Sequence, residues 1–165
     1  MERDFDIEMR LLLEAIHAKY QHDFRQYAPA SLKRRLTQAM VHFGVRSLSG
    51  LQERVLREPA AFHELLSYLT VQVSEMFRDP AFFRALREQV VPLLQTYPSL
   101  KIWIPGCSTG EEVYSLAIVL REEGLLQRTL IYATDINPSA LQAAHKGIYP
   151  QSRIAEFSKA YHASG

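Results

Sequence analysis

Between residues 101 and 135 the chain runs through a β-type stretch, a glycine turn, a helical stretch and a second β-type stretch. Lys101-Ile-Trp-Ile104 is a short β-type run. Pro105-Gly-Cys-Ser-Thr-Gly-Glu-Glu112 is rich in turn formers. Val113 to Arg121 places Leu116 and Leu120 on one helical face, and Leu130-Ile-Tyr-Ala-Thr-Asp135 is again β-type. A strand, a crossover helix and a strand form a βαβ unit, so the two strands are expected to be parallel. A parallel sheet normally needs both faces covered and more than two strands. No third strand is legible before Gly165. The 165 residues are therefore expected to carry only the first part of a larger sheet.

The residues before Tyr97-Pro98 read as helices. Ile7, Leu11 and Ala15 recur at helical spacing, as do Leu12 and Ile16. Pro29 and Ser31 open a second helix with an apolar stripe of Leu32, Leu36, Ala39, Met40 and Phe43, and Gly44 closes it. Leu51 and Val55 mark a third helix. A fourth starts at Pro59 and carries Phe62, Leu65, Leu66 and Leu69. Asp79-Pro80 is an N-cap followed by a first-turn proline, and that helix should bury Phe83, Leu86 and Val90. Asn137-Pro138 caps a further helix that Gly147 ends. The change of periodicity places a domain boundary at residues 95–100, giving a helical domain over 1–97 and an α/β domain over 98–165.

The turn limits what it can bind. Gly106 and Gly110 lie between the first strand and its helix, where glycine lets backbone approach a ligand closely. Glu111 and Glu112 occupy the helix N-terminus, where a dinucleotide would place its pyrophosphate. Two carboxylates repel phosphate and suit a cation such as an amino acid ammonium. Asp135 ends the next strand, where an acid commonly accepts from ribose hydroxyls. Adenosine joined to an amino acid without phosphates describes S-adenosylmethionine. The alternative is that the glutamates only favour the helix dipole and that Asp135 only caps a loop.

Three segments together resemble the CheR methyltransferases. They are Val73-Ser-Glu-Met-Phe-Arg-Asp-Pro80, Lys101-Ile-Trp-Ile-Pro-Gly-Cys-Ser-Thr-Gly-Glu-Glu-Val-Tyr-Ser115, and Ala133-Thr-Asp-Ile-Asn137 followed by Lys146-Gly-Ile-Tyr-Pro150. The resemblance implies an α/β protein: an all-helical N-terminal domain, then a truncated Rossmann-like S-adenosylmethionine methyltransferase domain. It implies methyl transfer from S-adenosyl-L-methionine to glutamate side chains of chemotaxis receptors. By position, Gln72, Ser74, Arg78, Gly106, Gly110, Glu111, Glu112 and Asp135 match cofactor-contacting residues. Of the two glutamates, Glu112 is slightly favoured as the main contact. The family usually has Asn where this chain has Gln72.

The implied nucleophile is a glutamate carboxylate, ionised at neutral pH, so no general base is needed. Catalysis then rests on positioning and removal of water. Arg78 is the catalytic candidate, orienting that carboxylate or the cofactor through its planar fork. Read without the resemblance, Arg78 is a solvated arginine before a helix cap, and Ser74 a turn hydroxyl. Cys107 has no evident histidine partner and reads as a small packing residue. No metal is expected.

Net charge is only +1, yet from Phe24 to Gln52 the chain has Arg25, Lys33, Arg34, Arg35 and Arg46 and no acid. Such a face can steer an acidic partner. The resemblance implies that Lys33, Arg34 and Arg35 contact the cytoplasmic methylation helices of chemoreceptors; the bland alternative is a solvated helix face. Interleaved exposed aromatics are lacking, so no nucleic-acid partner is expected. The apolar stretches are too short to span a membrane, and the charged N-terminus is not a signal peptide. With one cysteine and hence no internal disulfide, a cytoplasmic location is the simplest inference. Two rival functions remain at this point: a non-catalytic receptor-binding module, and an S-adenosylmethionine-dependent nucleic-acid methyltransferase. The strands expected to follow should cover adenine and place the acceptor, so the 165 residues alone should bind cofactor weakly or not at all and show no significant methyl transfer.

Overall fold

The computed structural model describes residues 2–70 and 73–165. The chain forms two compact units, Met1–Val71 and Gln72–Gly165. The division falls well before residues 95–100, so the 1–97 and 98–165 assignment is corrected. The helices after Pro80 look like the preceding bundle in sequence, but their apolar residues join the core of the sheet.

The first unit holds α1 (Glu2–Tyr20), α2 (Pro29–Phe43), α3 (Leu48–Arg57) and α4 (Pro59–Leu69). One core unites them, with Leu12, Ile16, Leu36, Leu51, Leu65 and Leu69 fully buried. Burying each such side chain contributes about 1.5–3 kcal/mol. The Tyr20 ring stacks on Phe62 at 3.8 Å. The Ser47 hydroxyl accepts from the Gly50 N–H to start α3, and Gly44 ends α2 in the left-handed conformation. In α1, Leu12 and Ile16 face the core with Met9 and Leu13. The parallel stripe of Ile7 and Leu11 is about half exposed, at 45% and 51%. The apolar arc of α1 is wider than the groove that receives it.

In the second unit, β1 (Leu100–Pro105) pairs with β2 (Thr129–Thr134) in parallel, with Ile102 opposite Ile131 and Trp103 opposite Tyr132. The crossover is α7 (Glu111–Glu122), as expected of a βαβ unit. Period-two alternation sends Leu100, Ile102 and Ile131 toward Leu116 and Leu120 of α7. Trp103, Leu130 and Tyr132 lie on the opposite face and are exposed.

The helix after Asp79 is interrupted. α5 (Pro80–Ala85) passes into a π-turn (Leu86–Val90) and then α6 (Val91–Leu94). Pro92 has no N–H and its ring would crowd the carbonyl of residue 88 in a regular helix; the wider turn relieves that conflict. The Val91 N–H accordingly bonds to the Leu86 carbonyl, five residues back. Phe83 is buried as expected and Leu86 partly so, but Val90 is 39% exposed and Val91 takes the core position instead. Beyond the sheet lie α8 (Pro138–Lys146), capped by Asn137 and ended by Gly147, and α9 (Ile154–Ala163). α9 was not legible in the sequence; its Tyr161 packs beside Phe77 and Phe83. Among the described residues no helix is long and apolar enough to cross a membrane. No cluster among them could hold a metal ion.

Candidate functional site

At the C-terminal end of β1 the chain turns at Gly106 and reaches α7 at Glu111. The turn is tied to β2 from both sides. The Cys107 N–H donates to the Thr134 carbonyl at 2.9 Å, and the Ser108 N–H donates to Asp135 Oδ2 at 2.8 Å. Asp135 Oδ1 accepts from the Asn137 N–H, also at 2.8 Å. Each carboxylate oxygen has two acceptor positions. Asp135 therefore staples the turn and still retains acceptors for a ligand hydroxyl.

Gly110 explains why the turn needs glycine. Its φ is +93°, and a Cβ there would lie 2.9 Å from the Ala144 Cβ and 3.2 Å from the Tyr149 hydroxyl. α8 and Tyr149 close directly over it, and the Tyr149 hydroxyl donates to the Thr109 carbonyl at 2.9 Å. Burial, followed by the Glu111 charge, pushes the Tyr149 hydroxyl pKa up and keeps it a donor. Gly106 differs: nothing lies within 4 Å of its would-be Cβ, so its backbone stays open to approach.

The two glutamates have separate situations. Glu111 is 2% exposed. Its Oε1 accepts from Arg153 Nη1 at 3.1 Å and its Oε2 from the Thr109 hydroxyl at 2.6 Å. Glu112, the next residue, is exposed. Burial first, then the Asp135 and Glu112 charges, push the Cys107 thiol pKa up. The thiol itself is buried, and of the acids only Asp135 is hydrogen-bonded to the neighbouring turn backbone among the described residues.

The 73–79 segment packs against the same place. Phe77 is buried with φ +53°, a left-handed conformation that non-glycine residues adopt at some cost. Its N–H donates to the Ser115 hydroxyl oxygen at 2.9 Å. The Ser74 carbonyl accepts from Arg153 Nη2 at 3.1 Å, and the Ser74 side chain is partly exposed. Arg78 is exposed, with one long 3.5 Å bond to the Val73 carbonyl. Gln72 lies outside the described residues. The structure thus brings Ser74, Arg78, the Gly106–Glu112 turn and Asp135 into one unit. Arg153 and Ser115 were not singled out in the sequence. No motif marks Arg153, which is 42 positions from its partner Glu111. Tyr149 did carry a signal, inside Lys146-Gly-Ile-Tyr-Pro150.

The basic helix belongs to the other unit, and its three residues are not equivalent. Lys33 pairs with Asp6 at 2.7 Å. Arg35 donates to the Leu69 carbonyl at 2.7 Å, capping the end of α4. Arg34 is exposed.

An open glycine backbone bound to Asp135, with an exposed glutamate at the start of the following helix, suits a ligand with hydroxyls and a cationic end and opposes a phosphate. With the βαβ unit, this defines a Rossmann-like cofactor-binding domain preceded by a helical bundle. Residues 72–164 match the family model described as CheR methyltransferase, SAM binding domain, and residues 7–70 match the CheR methyltransferase, all-alpha domain. The chain belongs to the CheR methyltransferase family, and S-adenosyl-L-methionine is the cofactor of this domain. A Pseudomonas putida protein named as the methyltransferase Cher3 is 59% identical over 164 residues, covering 99% of this chain and 60% of that protein. The chemotaxis protein methyltransferase of Listeria monocytogenes is 30% identical over 139 residues, covering 83% and 53%. Chemotaxis protein methyltransferase 2 of Pseudomonas aeruginosa is 35% identical over 102 residues, covering 61% and 36%. The chain spans 60% or less of the length of each of these relatives.

Proposed function

We propose that this chain supplies the cofactor-holding part of a cytoplasmic protein-glutamate O-methyltransferase that modifies chemoreceptors. The observation that carries the reading is an open glycine turn whose backbone is held by Asp135, with exposed Glu112 at the start of the helix that follows. When bound, S-adenosylmethionine supplies an electrophilic methyl group on its sulfonium. Glu112 receives the cationic amino acid end, and Asp135 accepts from ribose hydroxyls with the oxygen positions its backbone bonds leave over. Ser74 and Arg78 lie on the segment that Arg153 and Ser115 tie to the turn and to α7. A receptor glutamate, with a pKa near 4.3, is ionised at neutral pH and needs no base. Arg78 orients that carboxylate through its fork, and closure of the site strips its water. On the helical unit, Arg34 leads the docking of an acidic receptor helix; Lys33 and Arg35 reinforce the basic face from their internal bonds.

Two measurements test the proposal. Titration of the 165-residue chain with S-adenosylhomocysteine, followed by amide chemical shifts, should move residues 106–112 and Asp135, with weak affinity. No shift in those amides at millimolar ligand would refute cofactor binding. Methyl transfer from labelled S-adenosylmethionine to a receptor cytoplasmic fragment should be absent with the chain alone. Turnover by the chain would show that no further strands are needed to cover the adenine and place the acceptor.

A further inference from the structure

Glu111 forms bonds from both its ends, and both lead to the 73–78 segment. Its carboxylate receives Arg153 Nη1 at 3.1 Å while Arg153 Nη2 reaches the Ser74 carbonyl, also at 3.1 Å. Its main-chain carbonyl receives the Ser115 hydroxyl at 2.7 Å, and the same hydroxyl oxygen accepts the Phe77 N–H at 2.9 Å. Two independent bridges thus run from one residue of the turn to two residues three apart in the segment that presents Ser74 and Arg78. Arg153 is itself braced, its guanidinium lying 4.7 Å from the centre of the Phe157 ring. The segment needs such support, because the left-handed Phe77 persists only where its surroundings fix it.

We propose that Glu111 is a hub rather than a cofactor ligand, and that Arg153 and Ser115 are positioning residues which hold Ser74 and Arg78 in register with the glycine turn. The inference rests on the cofactor reading above and divides the work of the paired glutamates: Glu112 faces the ligand, and Glu111 locks the two binding segments together. The chemistry of Arg153 fits the task. A planar fork satisfies two acceptors at once in a fixed geometry, whereas an ammonium is a single point charge. A lysine at 153 can still neutralise buried Glu111 but cannot span to the Ser74 carbonyl as well.

That difference gives the test. Arg153→Met and Arg153→Lys are compared with the unaltered 165-residue chain in thermal unfolding, in S-adenosylhomocysteine affinity, and in hydrogen exchange of residues 73–78. Arg153→Lys is expected to keep the unfolding temperature, lose roughly tenfold in affinity, as is usual for coupled sites, and speed exchange in 73–78 but not in β1. A purely structural ion pair predicts instead that lysine restores affinity together with stability, and that result overturns the proposal. If Arg153→Met does not fold, Arg153→Lys alone decides. Combining Glu111→Gln with Arg153→Met should weaken binding no further than the stronger single change, since both remove one bridge. If the unaltered chain shows no binding, the cofactor reading fails, and exchange in 73–78 still decides the positioning claim: faster exchange in Arg153→Lys upholds it, and unchanged exchange refutes it.

Discussion

Replacing Gly110 by alanine tests whether the turn is built by close packing or by backbone freedom alone. The new Cβ would lie 2.9 Å from the Ala144 Cβ, 3.0 Å from its Cα and 3.2 Å from the Tyr149 hydroxyl. Carbon pairs prefer about 3.5–4.0 Å, and Ala144 sits within α8, so relief requires moving a helix. The positive φ costs about 1–2 kcal/mol for any residue with a Cβ. The overlap adds about 1–3 kcal/mol. Together they give about 2–5 kcal/mol, a large share of the roughly 5–15 kcal/mol that stabilises a typical domain. Gly106→Ala is the matched control: its φ is +67°, but its Cβ meets nothing within 4 Å, so only the dihedral cost applies. Urea unfolding followed by Trp103 fluorescence reads the correct unit. Trp103 is the sole tryptophan, lies in β1, and donates from its indole N–H to the Thr134 hydroxyl at 3.0 Å. With a slope of about 1–3 kcal/mol per molar, the midpoint for Gly110→Ala should fall by roughly 0.7–5 M. Equal shifts for the two variants would refute the packing argument.

Other consequences are sharper for single residues. Glu112→Gln should weaken S-adenosylhomocysteine binding by about ten- to hundredfold, as expected for loss of one charge-assisted contact of about 1.5–3 kcal/mol, with the unfolding midpoint unchanged. Equal affinity would remove Glu112 from the site. Changing Lys33, Arg34 and Arg35 together to alanine should reduce receptor docking and flatten its salt dependence, with Arg34→Ala alone sparing the unfolding midpoint. Arg35→Ala should cost stability by about 1 kcal/mol, because the Leu69 carbonyl loses its donor. Docking that keeps its affinity and salt response in the triple variant would leave the basic face without that role. Folding favours the neutral Cys107 thiol, so its contribution is present below about pH 8.5 and declines as pH rises through the higher folded pKa. Native protein at pH 8 should resist iodoacetamide, and rapid labelling there would contradict the burial.

Local signals were legible where one short stretch fixes the outcome. The Asn137-Pro138 cap, the Gly44 and Gly147 helix ends and the β-type run of β1 each depend on a few adjacent residues, and each matches the structure. The unit boundary was not legible, because helices that bury Phe83 or Val91 look alike whichever core receives them. Val90 was misplaced because a π-turn leaves no periodic trace of its own. At the turn, the sequence favoured Glu112 over Glu111 only slightly, because the two adjacent glutamates carry the same local signal. What separates their surroundings is a guanidinium from residue 153, brought close only when the chain returns past Tyr149.

The π-turn also sets a phase. One added residue in a helix of 3.6 residues per turn rotates everything after it by about 100°. Before it, Phe83 joins Phe77 and Val119 beneath the 73–79 segment. After it, Val91 joins Leu100, Leu120 and Leu125 beneath the sheet. A straight helix would aim its two ends along one line and serve only one of these clusters. The turn acts as an angular coupling within a single rod, so the aromatic anchor of the 73–79 segment and the floor of the strands are indexed to each other through one continuous piece of backbone.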